Sequence, residues 1–98
     1  MKKGMPAETS SISRDMKILN KHGIHARPAS LFIKTVNRFD SEITVEKDGT
    51  CVSGNSIMGL LTLEVYQGST LRVHASGPDA EAALAAIEEL VNNKFDEE

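Results

Sequence analysis

A chain of 98 residues, 40% hydrophobic and 26% charged, suffices for one domain around one modest core. Its net charge of −3 argues against a nucleic-acid partner, and a single cysteine, Cys51, excludes an internal disulfide and suits a reducing cytoplasm. No apolar run reaches membrane-spanning length, and none follows Lys2 and Lys3 that would make them the start of a signal peptide, so a cytoplasmic protein without membrane insertion is expected.

Residues 1–14 are small, polar and aperiodic, which predicts a flexible tail ahead of a domain over residues 15–95. Met16, Ile18 and Asn20 alternate with Lys17 and Leu19, a short first strand, and Asn20 to Gly23 forms the loop after it. Ala29, Phe32, Ile33 and Val36 then recur at helical spacing, predicting a helix from about Pro28 to Arg38 with Leu31 off its apolar face. Ile43 and Val45 alternate with Glu42, Thr44 and Glu46 in a second strand. Asp48-Gly49 predicts a two-residue hairpin, since a type I′ turn needs positive φ at both central residues. That loop pairs Val45 with Val52 and supports a third strand over Thr50 to Ser53.

Gly54-Asn55-Ser56 ends this strand and opens a short helix. Ser56 stands at its N-cap, ready to accept from the backbone N–H of Met58 or Gly59. Ile57, Leu60 and Leu61 give that helix a partial stripe, with Met58 outside it. Leu71, Val73 and Ala75 alternate with Arg72 and His74 in a fourth strand, from which His74 points to solvent. Ala80, Ala83, Leu84, Ile87 and Val91 form the stripe of a last helix, with Asp79 and Glu81 suited to its positive end. Residues 96–98 read as an acidic tail fraying into solvent. The order is βαββαβα. Half-apolar strands need one covered face, and the amphipathic helices supply it, giving an α+β sandwich of one four-stranded sheet under three helices. Periodicity alone leaves a ferredoxin-like arrangement with an extra helix open.

Gly23-Ile24-His25-Ala26-Arg27-Pro28-Ala29 carries the chemistry. Pro28 suits a first helical turn, where its missing N–H has no partner to lose. His25 therefore stands at a helix N-terminus, beside the amides of Ala26 and its successors, where the macrodipole welcomes an anion and favours the uncharged, nucleophilic ring. Arg27 adds a planar donor fork matched to phosphate oxygens. From the residues alone two readings stand: a solvated His–Arg pair at a helix start, or a histidine that accepts a phosphoryl group. His22 and His25 without nearby thiols or paired carboxylates make a poor metal site, and no metal or other cofactor is assigned. The chain has no Gly-rich phosphate loop and no second base beside His25, so autonomous turnover is not expected.

The motif Gly23 to Ala29 resembles the active-site signature of the histidine-containing phosphocarrier (HPr) family of the bacterial sugar phosphotransferase system. The resemblance continues through Ser56-Ile57-Met58-Gly59 and the last helix, covering roughly residues 15–95. It implies an antiparallel open-faced β-sandwich. It also implies that His25 accepts a phosphoryl group at its δ1 nitrogen from enzyme I, itself loaded by phosphoenolpyruvate, and passes it to enzyme II A-type acceptors. Arg27 and the helix start at Ala26 and Pro28 would steady the transferring oxygens. The protein would then be a co-substrate more than an enzyme, and a monomer. Many relatives are phosphorylated by a regulatory kinase at the serine matching Ser56, and a phosphate there is tolerated at a helix N-terminus. Asn55 departs from the Lys common in the sugar branch, and Gly54-Asn55-Ser56 is reminiscent of the nitrogen-related branch. A signalling adaptor of the same fold is thus an alternative, and a small acylphosphatase-like enzyme a further one. Met58, with Ile57 and Leu61 and with Leu31, is the candidate for an apolar docking patch, since flexible Met suits a surface that meets several partners. Lys34 beside Arg27 would greet an acidic partner face.

Overall fold

The computed structural model describes residues 11–97. Strand β1 runs Ile12–Lys17, helix α1 Ala26–Val36, β2 Glu42–Lys47, β3 Thr50–Ser53, α2 Ile57–Thr62, β4 Thr70–Ser76 and α3 Ala80–Asn92, followed by a tight turn at Lys94–Asp96. The strands form one antiparallel sheet in the order β1-β4-β2-β3. This puts β1 at an edge, whereas a ferredoxin-like sheet places its first strand inside. The ferredoxin-like option therefore falls, and with it the acylphosphatase-like reading built on a similar element order.

Alternation decides which sheet face the helices cover. Met16 and Ile18, Ile43 and Val45, and Leu71, Val73 and Ala75 all point inward and are buried. The opposite face is polar and bridged across strands, with Arg72 on Asp15 and His74 Nε2 2.9 Å from Glu46 Oε1. His74 thus lies on the open face as expected, but half-buried against a carboxylate rather than free in solvent. The hairpin forms as its dipeptide predicts: Asp48 and Gly49 have φ of 52° and 86°, and Val45 pairs with Val52.

Helix α3 lays Ala80, Ala83, Leu84, Ile87 and Val91 on the sheet, all buried, as the spacing predicts. Helix α1 starts and ends two residues earlier than its apolar spacing suggests, and it buries Pro28, Ala29, Phe32, Thr35 and Val36. Thr35 replaces Ile33 on the covered face, and Ile33 and Leu31 pack only partly against the core. Phe32, Leu60, Leu84 and Phe95 are fully enclosed, each contributing about 1.5–3 kcal/mol by leaving water.

Two boundaries differ from the sequence reading. Strand β1 begins at Ile12 rather than Met16, because Ile12 and Arg14 pair with Ala75 and Val73 of β4, a partner invisible to local pattern. Of the tail expected over residues 1–14, residues 1–10 lie outside the described residues. The acidic 96–98 segment does not fray as a unit: Phe95 plugs into the core and Glu97 folds back over α1, while Glu98 lies outside the described residues.

The loop that leads to α1 is stitched from both sides. Asn20 is fully buried, and its Nδ2 donates to the Gly23 carbonyl at 2.7 Å. The Ile24 N–H donates to the Val65 carbonyl at 3.1 Å. Gly23 has φ of 64°, and a Cβ there would run into the Val65 backbone. Gly49, with φ of 86°, faces open space. Gly23→Ala should therefore cost well over the roughly 1–2 kcal/mol of a left-handed alanine, and Gly49→Ala about that alone. Urea unfolding of the two variants checks the difference; equal losses would contradict it.

Candidate functional site

His25 is the N-cap of α1, in extended backbone with φ −113° and ψ −163°. Its carbonyl accepts from Ala29 N–H at 2.9 Å, which starts the helix, and its side chain makes no cap bond. The ring is therefore not consumed by capping, and it is 45% exposed. Helix geometry leaves the Ala26 and Arg27 amides without intrahelical partners, and Pro28 has no N–H to offer. Two donors thus stand beside the ring at the positive end of an eleven-residue helix.

The Lys94–Asp96 turn supplies a group that the local sequence pattern does not announce. Glu97 Oε2 lies 2.9 Å from His25 Nε2, and Glu97 Oε1 accepts from Asn20 Nδ2 at 3.0 Å. Arg27 Nη1 lies 3.7 Å from the same Oε2 and donates to the Phe95 carbonyl at 3.1 Å. The Asn20 hydrogen bond holds the Glu97 carboxyl below the usual carboxylate range, helped by His25 and Arg27 and opposed by partial burial. An ionised carboxylate only accepts hydrogen bonds, so His25 carries its proton at Nε2. In the neutral ring Nδ1 is then the nitrogen with the free lone pair.

His25, Ala26, Arg27 and Pro28 therefore meet at one helix start, as the sequence predicts. Asn20 and Glu97 join them. The Asn20 Oδ1 atom is buried with no partner among the described residues. His22 stands with its ring edge-on to His25, centroids 6.1 Å apart. A signal for Glu97 lay in the spacing: Ile87, Val91 and Phe95 continue one stripe at intervals of four. A buried Phe95 obliges the residues next to it to stay docked. Lys94, Phe95 and Asp96 all take positive φ, of 58°, 54° and 60°, which turns the chain back toward α1. Three successive non-glycine residues in that region cost of order 1–2 kcal/mol each, and the enclosed Phe95 ring and the Arg27 bond hold them there.

Ser56 caps α2, its Oγ accepting from Gly59 N–H at 2.9 Å, one of the two partners the sequence offers. Met58 is 71% exposed and Ile57 44%, whereas Leu61 packs partly against the core with Leu31, so those two leucines add little open apolar surface. Lys34 is exposed on α1, and Cys51 is exposed and free on β3. No helix among the described residues is long and apolar enough to cross a membrane.

The family model described as "PTS HPr component phosphorylation site" matches residues 12–93. The chain is 44% identical over 87 residues to the phosphocarrier protein HPr of Treponema pallidum, covering 89% of this chain and 99% of that one. It is 39% identical over 89 residues to the phosphocarrier protein NPr of Escherichia coli, covering 90% and 99%. The crystal structure of HPr-C-His from Thermoanaerobacter tengcongensis superposes with a TM-score of 0.85 at 45% identity, covering 89% of this chain and 98% of that one.

The Glu97 anchorage has a measurable signature. Its lowered folded value means that its bonds stabilise the fold fully above about pH 4.5 and are lost as the pH falls through that folded value. The stability difference between the native chain and Glu97→Gln should shrink as the pH falls from about 5 toward about 3. Urea unfolding across that range checks this; a difference independent of pH would contradict the charged anchorage.

Proposed function

The chain belongs to the HPr family of phosphocarriers of the phosphotransferase system, and from that premise we propose that it carries its phosphoryl group on His25. In this reading enzyme I, loaded by phosphoenolpyruvate in the cytoplasm, donates the group, and enzyme II A-type proteins of sugar uptake receive it. The observation that carries the reading is the half-exposed ring at the start of α1, held at Nε2 with Nδ1 left as the lone-pair nitrogen. Nδ1 attacks phosphorus in line with the departing donor. The Ala26 and Arg27 amides and the guanidinium of Arg27 stand where charge gathers on the equatorial oxygens. Arg27 commits one N–H to the Phe95 carbonyl and keeps the rest of its fork for phosphate.

The site is shallow and open on one side, which suits a group held briefly and given up. The protein acts as a monomer that docks in turn on donor and acceptor, with Met58 and Ile57 as exposed apolar contacts. Ser56 is the proposed regulatory position, for a kinase and phosphatase that act on the cap of α2. A phosphate there keeps the acceptor role toward Gly59 and adds about −1.5 to −2 charge next to Ile57 and Met58. Regulation would thus act on docking and leave the fold intact. Gly54-Asn55-Ser56 and the likeness to NPr favour a second reading, in which the same transfer feeds a regulatory branch in place of sugar uptake.

His25→Ala should abolish labelling by phosphoenolpyruvate plus enzyme I, and peptide mapping of the native chain should place an acid-labile phosphate on the His25 peptide. Retained labelling in the variant refutes the assignment. Ser56→Asp should keep a native circular dichroism spectrum, since Asp also caps helices. Its affinity for enzyme I should fall about tenfold, a loss of ~1.4 kcal/mol. Titration calorimetry reads this, and unchanged affinity removes the regulatory role.

A further inference from the structure

We propose that the cleft between the end of α1 and the open end of the β2–β3 hairpin binds a neutral polyhydroxylated molecule of monosaccharide size. Its volume is about 260 Å³, the room of about nine waters and just below the usual range of small-ligand pockets. It stands apart from the site at His25. Helix α1 has eleven residues, so about 16 Å of helix lies between His25 at its start and the cleft at its end. The walls of the cleft are preformed. The Gly54 N–H donates to the Ile43 carbonyl at 2.8 Å, and a Cβ on Gly54 would run into the Ile43 side chain, so glycine lets the corner at Ser53–Asn55 close on the floor. On the other side Gly77 packs on Ser41, where a Cβ would stand 3.2 Å from Ser41 Cα. Backbone contacts thus fix both sides before any ligand arrives, which spares the ordering cost of binding.

The lining selects the class of ligand. Val36 and Ile43 are buried beneath the cleft and Phe39 is half-buried at its side, an apolar bed for the C–H face of a small ring. Around them stand the hydroxyls of Ser41 and Ser53, the amides of Asn37 and Asn55 and the exposed carboxylate of Glu42. Ser41 Oγ is buried with no hydrogen-bond partner among the described residues, and a buried hydroxyl is costly until it is paired. Ser53 Oγ accepts from the Asn55 N–H at 3.1 Å, which leaves its O–H to donate. Hydroxyls and amides both donate and accept, so the complementary molecule does both at several points. An ammonium group only donates, and it leaves the amide N–H donors unanswered. An anion only accepts, and it meets Glu42 and the negative end of α1. The Arg38 guanidinium lies over the Phe39 ring, 5.2 Å from its centroid, and Arg38 does not line the cleft. A neutral polyol meets both demands. Seated there it touches Ser53 and Asn55, on the corner that leads into the α2 cap, where the Ser56 N–H donates to the Ser53 carbonyl at 3.3 Å.

The test is a ¹H–¹⁵N NMR titration of the full chain with glucose, glucose 6-phosphate and methylammonium, each added separately. Glucose should shift the amides of Ser41, Glu42, Ser53, Gly54 and Asn55 in a saturable way, with a Kd of about 1–10 mM, as befits a few polar contacts in an open cleft. Glucose 6-phosphate and methylammonium should bind about tenfold more weakly or not at all. Ser41→Ala and Asn55→Ala should each weaken glucose binding about tenfold, while amides distant from the cleft keep their native shifts and so report an intact fold. An absence of saturable shifts up to about 100 mM glucose overturns the proposal. Shifts scattered over the surface overturn it too, as does glucose affinity unchanged in both variants. Binding of glucose 6-phosphate or methylammonium as tight as that of glucose overturns the ligand class. No phosphoryl transfer is measured, so the outcome stands or falls independently of the reading of His25.

Discussion

The bond between Glu97 and His25 draws together three parts of the chain that share no local pattern. The loop after β1 contributes Asn20, the cap of α1 contributes the imidazole, and Glu97, just after the Lys94–Asp96 turn, contributes the carboxylate. Each partner is fixed by something else. Asn20 is buried and clasps the Gly23 carbonyl, His25 is pinned by the start of a helix, and Glu97 follows an enclosed Phe95. The site is therefore a product of the core as much as of the seven-residue motif. A loss of packing at Phe95 would release the carboxylate without touching the motif at all.

How far the sequence disclosed this arrangement depends on the range of the interactions concerned. The hairpin at Asp48-Gly49 was legible because positive φ is demanded of two adjacent residues. The last helix was legible because its stripe repeats within one element, and the Ser56 cap because donor and acceptor lie three residues apart. The true start of β1 was not, since Ile12 is a strand residue only by virtue of Ala75. The site divides along the same line. His25, Ala26, Arg27 and Pro28 announce an anion site by their spacing at a helix start. Glu97 lies 72 residues from His25 and sits in an acidic run that composition alone assigns to solvent. Its hidden signal was Phe95, an aromatic residue continuing a buried stripe beyond the end of a helix.

The structure also alters the electrostatic account of the site. The helix dipole and Arg27 make the start of α1 a positive place, which suits an anion. Glu97 pulls the other way at the ring nitrogen farther from the reacting one. The two influences act on different atoms and so do not simply cancel. Positive groups gather at the helix start, and the negative group lies against Nε2.

This separation bears on what a carrier needs. A site that bound phosphate by cations alone would deepen the well in which the group sits and slow its release. Glu97 places a carboxylate across the ring, 2.9 Å from Nε2, so the site is not built of cations alone. Arg27 mediates between the two, reaching the Phe95 carbonyl and lying 3.7 Å from Glu97 while its remaining donors stay available. The Lys94–Asp96 backbone that it holds lies in the left-handed region at three successive residues. The guanidinium is in this way tied to the one segment of the site that is held against its own backbone preference.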